Sequence, residues 1–472
     1  MSRCRCVAMS PCRRDVAVSL CRDPGWVRAC RGMAWTCRKP GPWGGRDAVV
    51  RRMPSVGSLL TGHRADSGGN MSRFAVANTR VFTGTHVADA SVVVVEDGTI
   101  AEVGHEAPEG VEKIDGVGGT LLPGLIDAHT HTDEDGLRTA LSFGVTTELD
   151  MMSVPDAMEP LRKKARAEFD VADVRTASWG LAHPDGHPHQ LRRGLGDPVW
   201  PTATVPGEAA AFVDGRLSEG ADYIKIMVED GDVFGTSLPL VPYDVVVAVV
   251  EAAHERGVMA LVHALGAAAT RVAVEAGADG VTHLHHDEVI SDDLVVRMRE
   301  QGMFVISTLA VTASGASDGA GPRLGADLRV ASRLDAEWRD NLGREFGWNA
   351  HLPTALRSAG LLHAAGVEIL AGTDAAHLGA PGIAHGASLH DELRLLEAAG
   401  LSPVEALTAA TRRTADRFGL TDRGRIEPGA SADLVLVDGD PTSRLSSTLN
   451  TRAVWRRGHR LALGGATAER AA

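Results

Sequence analysis

The sequence predicts an α/β protein, a (β/α)8 TIM-like barrel carrying a small discontinuous β-sandwich domain. Three observations lead there. Eight apolar strand candidates alternate with helical segments over roughly 300 residues, the cadence of βα units. Strand-rich stretches with Asp-Gly turns stand on both sides of that alternation. With 472 residues, 44% of them hydrophobic and 23% charged, the chain is long enough to bury a large core. Disorder and a collagen-like repeat are excluded as global descriptions. The longest apolar run, Val245 to Ala253, is broken by His254, Glu255 and Arg256 well short of the ~18 to 20 residues a membrane helix requires.

In chain order, residues 1–70 come first. They hold 13 Lys and Arg against 4 Asp, and all six cysteines. They lack strand or helix periodicity, an apolar signal-peptide core and paired CxxC spacing. A disordered leader or mis-assigned N-terminal extension is expected, with Met71 as the natural start. The remaining 402 residues carry 35 basic and 57 acidic side chains and no cysteine. Such a body is poorly suited to nucleic-acid phosphates, and it has no disulfide framework, thiolate nucleophile or sulfur-ligated metal.

Residues 71–123 contain AVANTRVF and ASVVVVEDGTIAEVG, short alternating strands with Asp-Gly turns. The same texture returns in ADLVLVDGDP and RAVWRRGHRLAL, within residues 423–465. Each piece alone would be a marginal hairpin, so the two are expected to form one β-sandwich around the inserted barrel of residues 124–422. Residues 466–472 are expected to be a flexible tail.

Within the insertion the strand candidates are GLIDAHTH, TTELDM, VRTASWG, DYIKIMV, VMALVHA, DGVTHL, MFVISTL and VEILAGTD. Helical segments such as YDVVVAVVEAAHERG and TALRSAGLLHAAG lie between them and several end at Gly, a common C-terminal cap. No Gly-rich phosphate loop follows the first strand, which disfavours a doubly wound open sheet.

In a barrel, chemistry gathers at the C-terminal strand ends. The first strand ends in His129 and His131; side chains two apart share a face, so both imidazoles point toward the barrel mouth. The fifth, sixth and eighth strands place His263, His283 and Asp374 at matching positions. The fourth strand holds Lys225 amid Tyr223, Ile224, Ile226 and Met227, in a chain with 43 Arg and only five Lys. A strand-embedded ammonium is costly. Pairing with Asp222 or Glu229 would offset that cost without explaining lysine over arginine. A desolvated amine, by contrast, can add carbon dioxide and become an N-carboxylated ligand with two oxygens.

In LLPGLIDAHTH, GVTTELDM, ADYIKIM, AHERGVMALVHALG, GADGVTHLHH, AGVEILAGTD, LSPVEALTAATRRTA and GRIEPGASADLVLVDGDP the chain resembles the amidohydrolase superfamily. It resembles most the prolidase-like branch with a carboxylated lysine and a binuclear metal centre, over about residues 73–465. The resemblance implies that His129, His131, Lys225 and Asp374 bind the more buried of two divalent metal ions. Lys225 would bridge to an exposed ion held by His263 and His283. Nitrogen and oxygen ligands suit zinc, with Mn, Co or Ni as alternatives. It further implies hydrolysis of a C–N (amide) bond by a metal-bridging hydroxide, with Asp374 moving the proton from water to the leaving amine.

The substrate implied is a dipeptide or N-acyl amino acid, with a cyclic amide or ester as alternative. Deamination is the runner-up reaction, although His263 is followed by Ala264, Leu265 and Gly266 rather than by the Glu that deaminases carry; only Glu288 offers a substitute acid. A non-catalytic scaffold is disfavoured because all six ligand positions are filled. His187, in HPDGHPHQ, Tyr243 and His286 are candidate substrate-binding residues, and Arg323, Arg329 and Arg333, in the long connection after the seventh strand, candidate anchors for a carboxylate. The expected partner is a small-molecule substrate, with no nucleic acid and no membrane; the location is expected to be cytoplasmic, and a homo-oligomer is compatible with the sequence.

Overall fold

Eight short apolar runs form parallel strands in the computed structural model, which describes residues 73–189, 200–376 and 380–463. They are β1 (Leu125–His131), β2 (Val145–Asp150), β3 (Asp173–Thr176) and β4 (Ile224–Met227). The other four are β5 (Ala260–His263), β6 (Gly280–Thr282), β7 (Phe304–Ile306) and β8 (Glu368–Leu370). Each coincides with one of the eight runs read from the sequence. All of β2 and of β4 to β7 is buried, the pattern of a parallel sheet covered on both faces. The expected leader, residues 1–70, and the tail, residues 466–472, lie outside the described residues.

Hydrogen bonding groups the parallel strands into two sheets. One runs β1-β2-β3, with the two residues Ala375–Ala376 added beside β1; the other runs β4 to β8 in sequence order. Leu181 connects them, pairing in parallel with Ile226. Its N–H donates to Lys225 O and its carbonyl accepts from Met227 N–H, both at 2.8 Å. On the other side, Ala128 N–H donates to Ala371 O at 2.9 Å, setting the segment after β8 against β1.

The connecting helices follow from apolar stripes. Helix Tyr243–Glu255 buries Val245, Val246, Val249, Val250 and Ala253, spacings that recur on one helical face. It stops before Gly257, which takes φ +70 while Gly257 and Val258 N–H donate to His254 and Ala253 carbonyls. Helices Ala267–Glu275, Asp292–Glu300 and Leu352–Ala364 repeat the scheme.

Strands from both ends of the chain share one antiparallel pairing: Thr120–Pro123 lies against Leu434–Val437, which also pairs with Thr451–Arg456. A second sheet holds Phe74–Ala77, Val92–Glu96, Thr99–Gly104 and Glu112–Asp115. Phe74, Val93 and Ile100 of that sheet pack with Leu121, Leu434 and Trp455 of the other in one apolar cluster.

This part is tied to the parallel strands by buried charge. Arg423 donates to Asp173 of β3, and Arg456 lies 3.7 Å from Asp173 and 3.4 Å from Asp433. Burial alone would raise the Asp173 pKa, but Arg423, Arg456 and Arg175 outweigh it and hold the carboxyl at about 2.

After β7 the long connection folds as four short helices, Leu309–Gly315, Ala320–Ala326, Leu328–Ala331 and Ala336–Leu342. Its arginines are engaged away from the strand ends. Arg323 pairs with Asp318; Arg329 with Asp327, Ser446 O and Asn450; Arg333 donates to Thr451 O at 3.0 Å. Intramolecular acceptors thus take Arg323 and Arg329, which corrects the expectation that they anchor a substrate carboxylate, whereas Arg333 Nη1 has no hydrogen-bond partner among the described residues.

Candidate metal centre

The strand ends bring the singled-out residues together. Asp374 Oδ1 lies 3.2 Å from Nε2 of His129 and 3.2 Å from Nε2 of His131, and one ligating atom from each of the three lies within 4.8 Å of the others. The ring of His129 is 4.7 Å from that of His283, which is 4.5 Å from that of His263. Lys225 is buried beside them, its ammonium donating to Thr282 Oγ1.

Local backbone explains the convergence. A side chain at Gly372 would put its Cβ 2.9 Å from His129 Cβ and 2.5 Å from Ile306 Cγ2, so glycine there lets the chain before Asp374 press against β1 and β7. Asp374 then turns with φ +61, and His283 with φ +76, both in the left-handed region that costs a non-glycine residue energy and recurs at functional sites.

Asp127, buried on β1, clamps the same junction. Its carboxylate accepts from His129 N–H at 3.2 Å, Thr373 N–H at 3.0 Å and Thr373 O–H at 2.6 Å. The sequence reading missed Asp127, although it stands two residues before the histidine pair in LIDAHTH.

Electrostatics favour a cation. Burial, then the neighbouring Lys225, brings His129 to a pKa of about 3, and the same causes bring His263 to about 3. His283 is driven far down by burial and by His263 and His129. For Asp374, burial is outweighed by the surrounding histidines, and its carboxyl falls well below the ordinary range. At His131 burial is outweighed by Asp374, Asp150 and the Met152 carbonyl, which raise its pKa. At neutral pH an ionised carboxylate thus faces the neutral imidazoles of His129, His263 and His283, nitrogen and oxygen donors of the kind a divalent ion takes.

The outer ring nitrogens of His131 and His283 are held by neighbours, whereas His129 Nδ1 has no hydrogen-bond partner among the described residues. His131 Nδ1 donates to Met152 O at 3.1 Å, and His283 Nδ1 shares a 2.7 Å hydrogen bond with Thr308 Oγ1. Such partners fix a ligating imidazole's tautomer and leave Nε2 for the ion. The residues therefore fit the metal ions the chain's resemblance implies.

Lys225 has no carboxylate at salt-bridge distance among the described residues. Asp222 pairs with Arg162 at 3.2 Å instead, and Glu229 faces His263. Burial lowers the amine to a pKa of about 7 despite the opposing pull of Asp374 and Asp150. About half of such amines are neutral at neutral pH, whereas an ordinary lysine is almost wholly charged.

Among the remaining candidates, His187 stacks on His263 at 5.0 Å and on Phe234 at 5.2 Å, at the edge of the cluster. His286 is buried, and neither of its ring nitrogens has a hydrogen-bond partner among the described residues. Tyr243 opens the helix Tyr243–Glu255 and is 48% exposed, with no hydrogen bond or ring contact to the cluster. Glu288 is exposed on the loop after β6.

Comparison with known proteins places these features in context. The model of the Amidohydrolase family matches residues 120–461. An uncharacterized protein of Mycobacterium tuberculosis is 30% identical over 338 residues, covering 69% of this chain and 80% of its own length. A solved amidohydrolase is 25% identical with a TM-score of 0.65, over 82% of this chain and 98% of its own. A solved Xaa-Pro dipeptidase with methionine in its active site shares the fold at 23% identity and a TM-score of 0.66, over 83% of this chain and 100% of its own.

Proposed function

Because this chain belongs to the amidohydrolase family, it is a metal-dependent hydrolase acting on carbon–nitrogen bonds, and we propose that it cleaves the amide of a dipeptide or N-acyl amino acid. In this reading the eight parallel strands close as a (β/α)8 barrel. Two divalent ions, zinc in this reading, would be held at its mouth, one by His129, His131, Asp374 and an N-carboxylated Lys225. The other would be held by Lys225, His263 and His283. The observation that carries the reading is the convergence of His129, His131 and Asp374 to within 4.8 Å, with Lys225 buried against Thr282 in the same cluster.

Divalent ions at such a site polarise a carbonyl and acidify water. The protein does the rest. Asp374, ionised and 3.2 Å from Nε2 of both histidines of β1, is placed to take the proton of the attacking water and return it to the leaving nitrogen. Asp127 holds β1 and the Asp374 segment in register, so this acceptor stays fixed as charge develops. In this reading His187, stacked on His263, and the buried His286 orient the substrate.

Deamination is disfavoured because Ala264, Leu265 and Gly266 follow His263 and Glu288 is exposed. No helix among the described residues is long and apolar enough to cross a membrane. The test is a screen of zinc-loaded protein against dipeptides and N-acyl amino acids, reading amine release. Cleavage of such amides is expected. Ammonia release from amino-purines with no amide cleavage would overturn the proposal.

A further inference from the structure

Glu229 lies two residues past β4 and was not singled out in the sequence as a site residue. It is 4% exposed, yet its carboxylate meets no arginine or lysine at salt-bridge distance among the described residues. One oxygen, Oε1, accepts from Gly231 N–H at 2.8 Å; the other, Oε2, lies 3.3 Å from His263 Nε2. The first bond fixes the carboxylate on its own turn, so the second oxygen is aimed at the imidazole by backbone geometry. Across the ring, His187 stacks on His263 at 5.0 Å and restrains its plane.

With Oε1 taken by the Gly231 N–H, the Oε2 oxygen facing His263 Nε2 is an acceptor site, and it pairs with that nitrogen when the ring carries its proton there. That leaves Nδ1 as the lone-pair nitrogen. His131 and His283 are held the other way: their Nδ1 atoms face Met152 O and Thr308 Oγ1. His263 is thus set apart from its two neighbours by which nitrogen is occupied from outside.

We propose that Glu229 is a positioning residue for the exposed metal ion, holding His263 as the Nε2–H tautomer so that Nδ1 is presented to the ion. This rests on the two-metal reading above. The buried carboxylate also raises the basicity of the imidazole, which strengthens its bond to a divalent ion.

The test uses the full chain loaded with cobalt or zinc. Glu229→Ala and Glu229→Gln are compared with wild type by chelator competition, the cobalt visible spectrum and 15N NMR of labelled histidine, His263 being assigned from a His263→Asn sample. Glu229→Ala is expected to weaken the second metal by about 10- to 100-fold while the first stays bound, and to change the cobalt spectrum. The charge-removing Glu229→Gln is expected to show a smaller loss in the same direction. In wild type the His263 proton is expected on Nε2. Wild-type affinity for both metals in Glu229→Ala, or a proton on Nδ1 in wild type, would overturn the assignment. If wild type itself bound one metal per chain, the two-metal reading would fail, and the His263 tautomer would still decide the role of Glu229.

Discussion

Asp374 Oδ1 lies 3.2 Å from His131 Nε2, a contact made possible by the left-handed turn at Asp374. The carboxylate is half-buried, ionised and directed at the imidazoles, which suits it to move a proton inside the site. Asp374→Asn keeps the shape and removes the basic oxygen. Turnover of the metal-loaded variant is expected to fall by about 10²- to 10⁴-fold with the circular dichroism spectrum unchanged. Near-normal kcat in that variant would remove Asp374 from proton transfer.

The Lys225 amine, lowered to about 7 by burial, should react with carbon dioxide near neutrality. Only the neutral amine reacts. At fixed dissolved carbon dioxide, reconstitution of metal-free protein with zinc should therefore speed up between about pH 6 and about pH 8 and then level off. An ordinary lysine would give a rate still climbing about tenfold per pH unit above pH 8. That slope, measured by stopped reconstitution assays, distinguishes the two.

Asp173 joins β3 to Arg423 and Arg456, and its removal takes a shared carboxylate from two buried guanidinium groups, leaving Arg423 to Asp422 and Arg456 to Asp433. Asp173→Ala is expected to cost about 3 to 5 kcal/mol, seen as a lower urea midpoint. Because the folded pKa, about 2, lies below the unfolded one, the carboxylate's contribution is full above about pH 4 and disappears as pH falls through 2. The stability gap between wild type and Asp173→Asn should narrow over that window. A gap that stayed constant down to pH 2 would contradict the assignment.

What the sequence disclosed, and what it hid, separates along one physical line. The strands were readable because each is an apolar run buried on both faces, and His129, His131, Lys225, His263, His283 and Asp374 were readable because strand ends have a fixed place in such a fold. Asp127 and Glu229 were not. Asp127 acts on Thr373, 246 positions away, and Glu229 on His263, 34 positions away, pairings that no local pattern encodes. The same blindness misdirected Arg329, whose acceptors Ser446 and Asn450 come from the far end of the chain. Tyr243, the first residue of a helix, is half exposed.

The central claim is that a carboxylated Lys225 joins two metal ions, and metal content per chain tests it most directly. Wild type purified without chelator should hold two zinc ions, and Lys225→Ala should hold one or none with most activity lost. Acetate or propionate entering the space left by Lys225→Ala should partly restore both metal and turnover. The same acids should do nothing for Lys225→Arg, whose guanidinium fills the site. Two zinc ions per chain and wild-type turnover in Lys225→Ala without added acid would contradict the account.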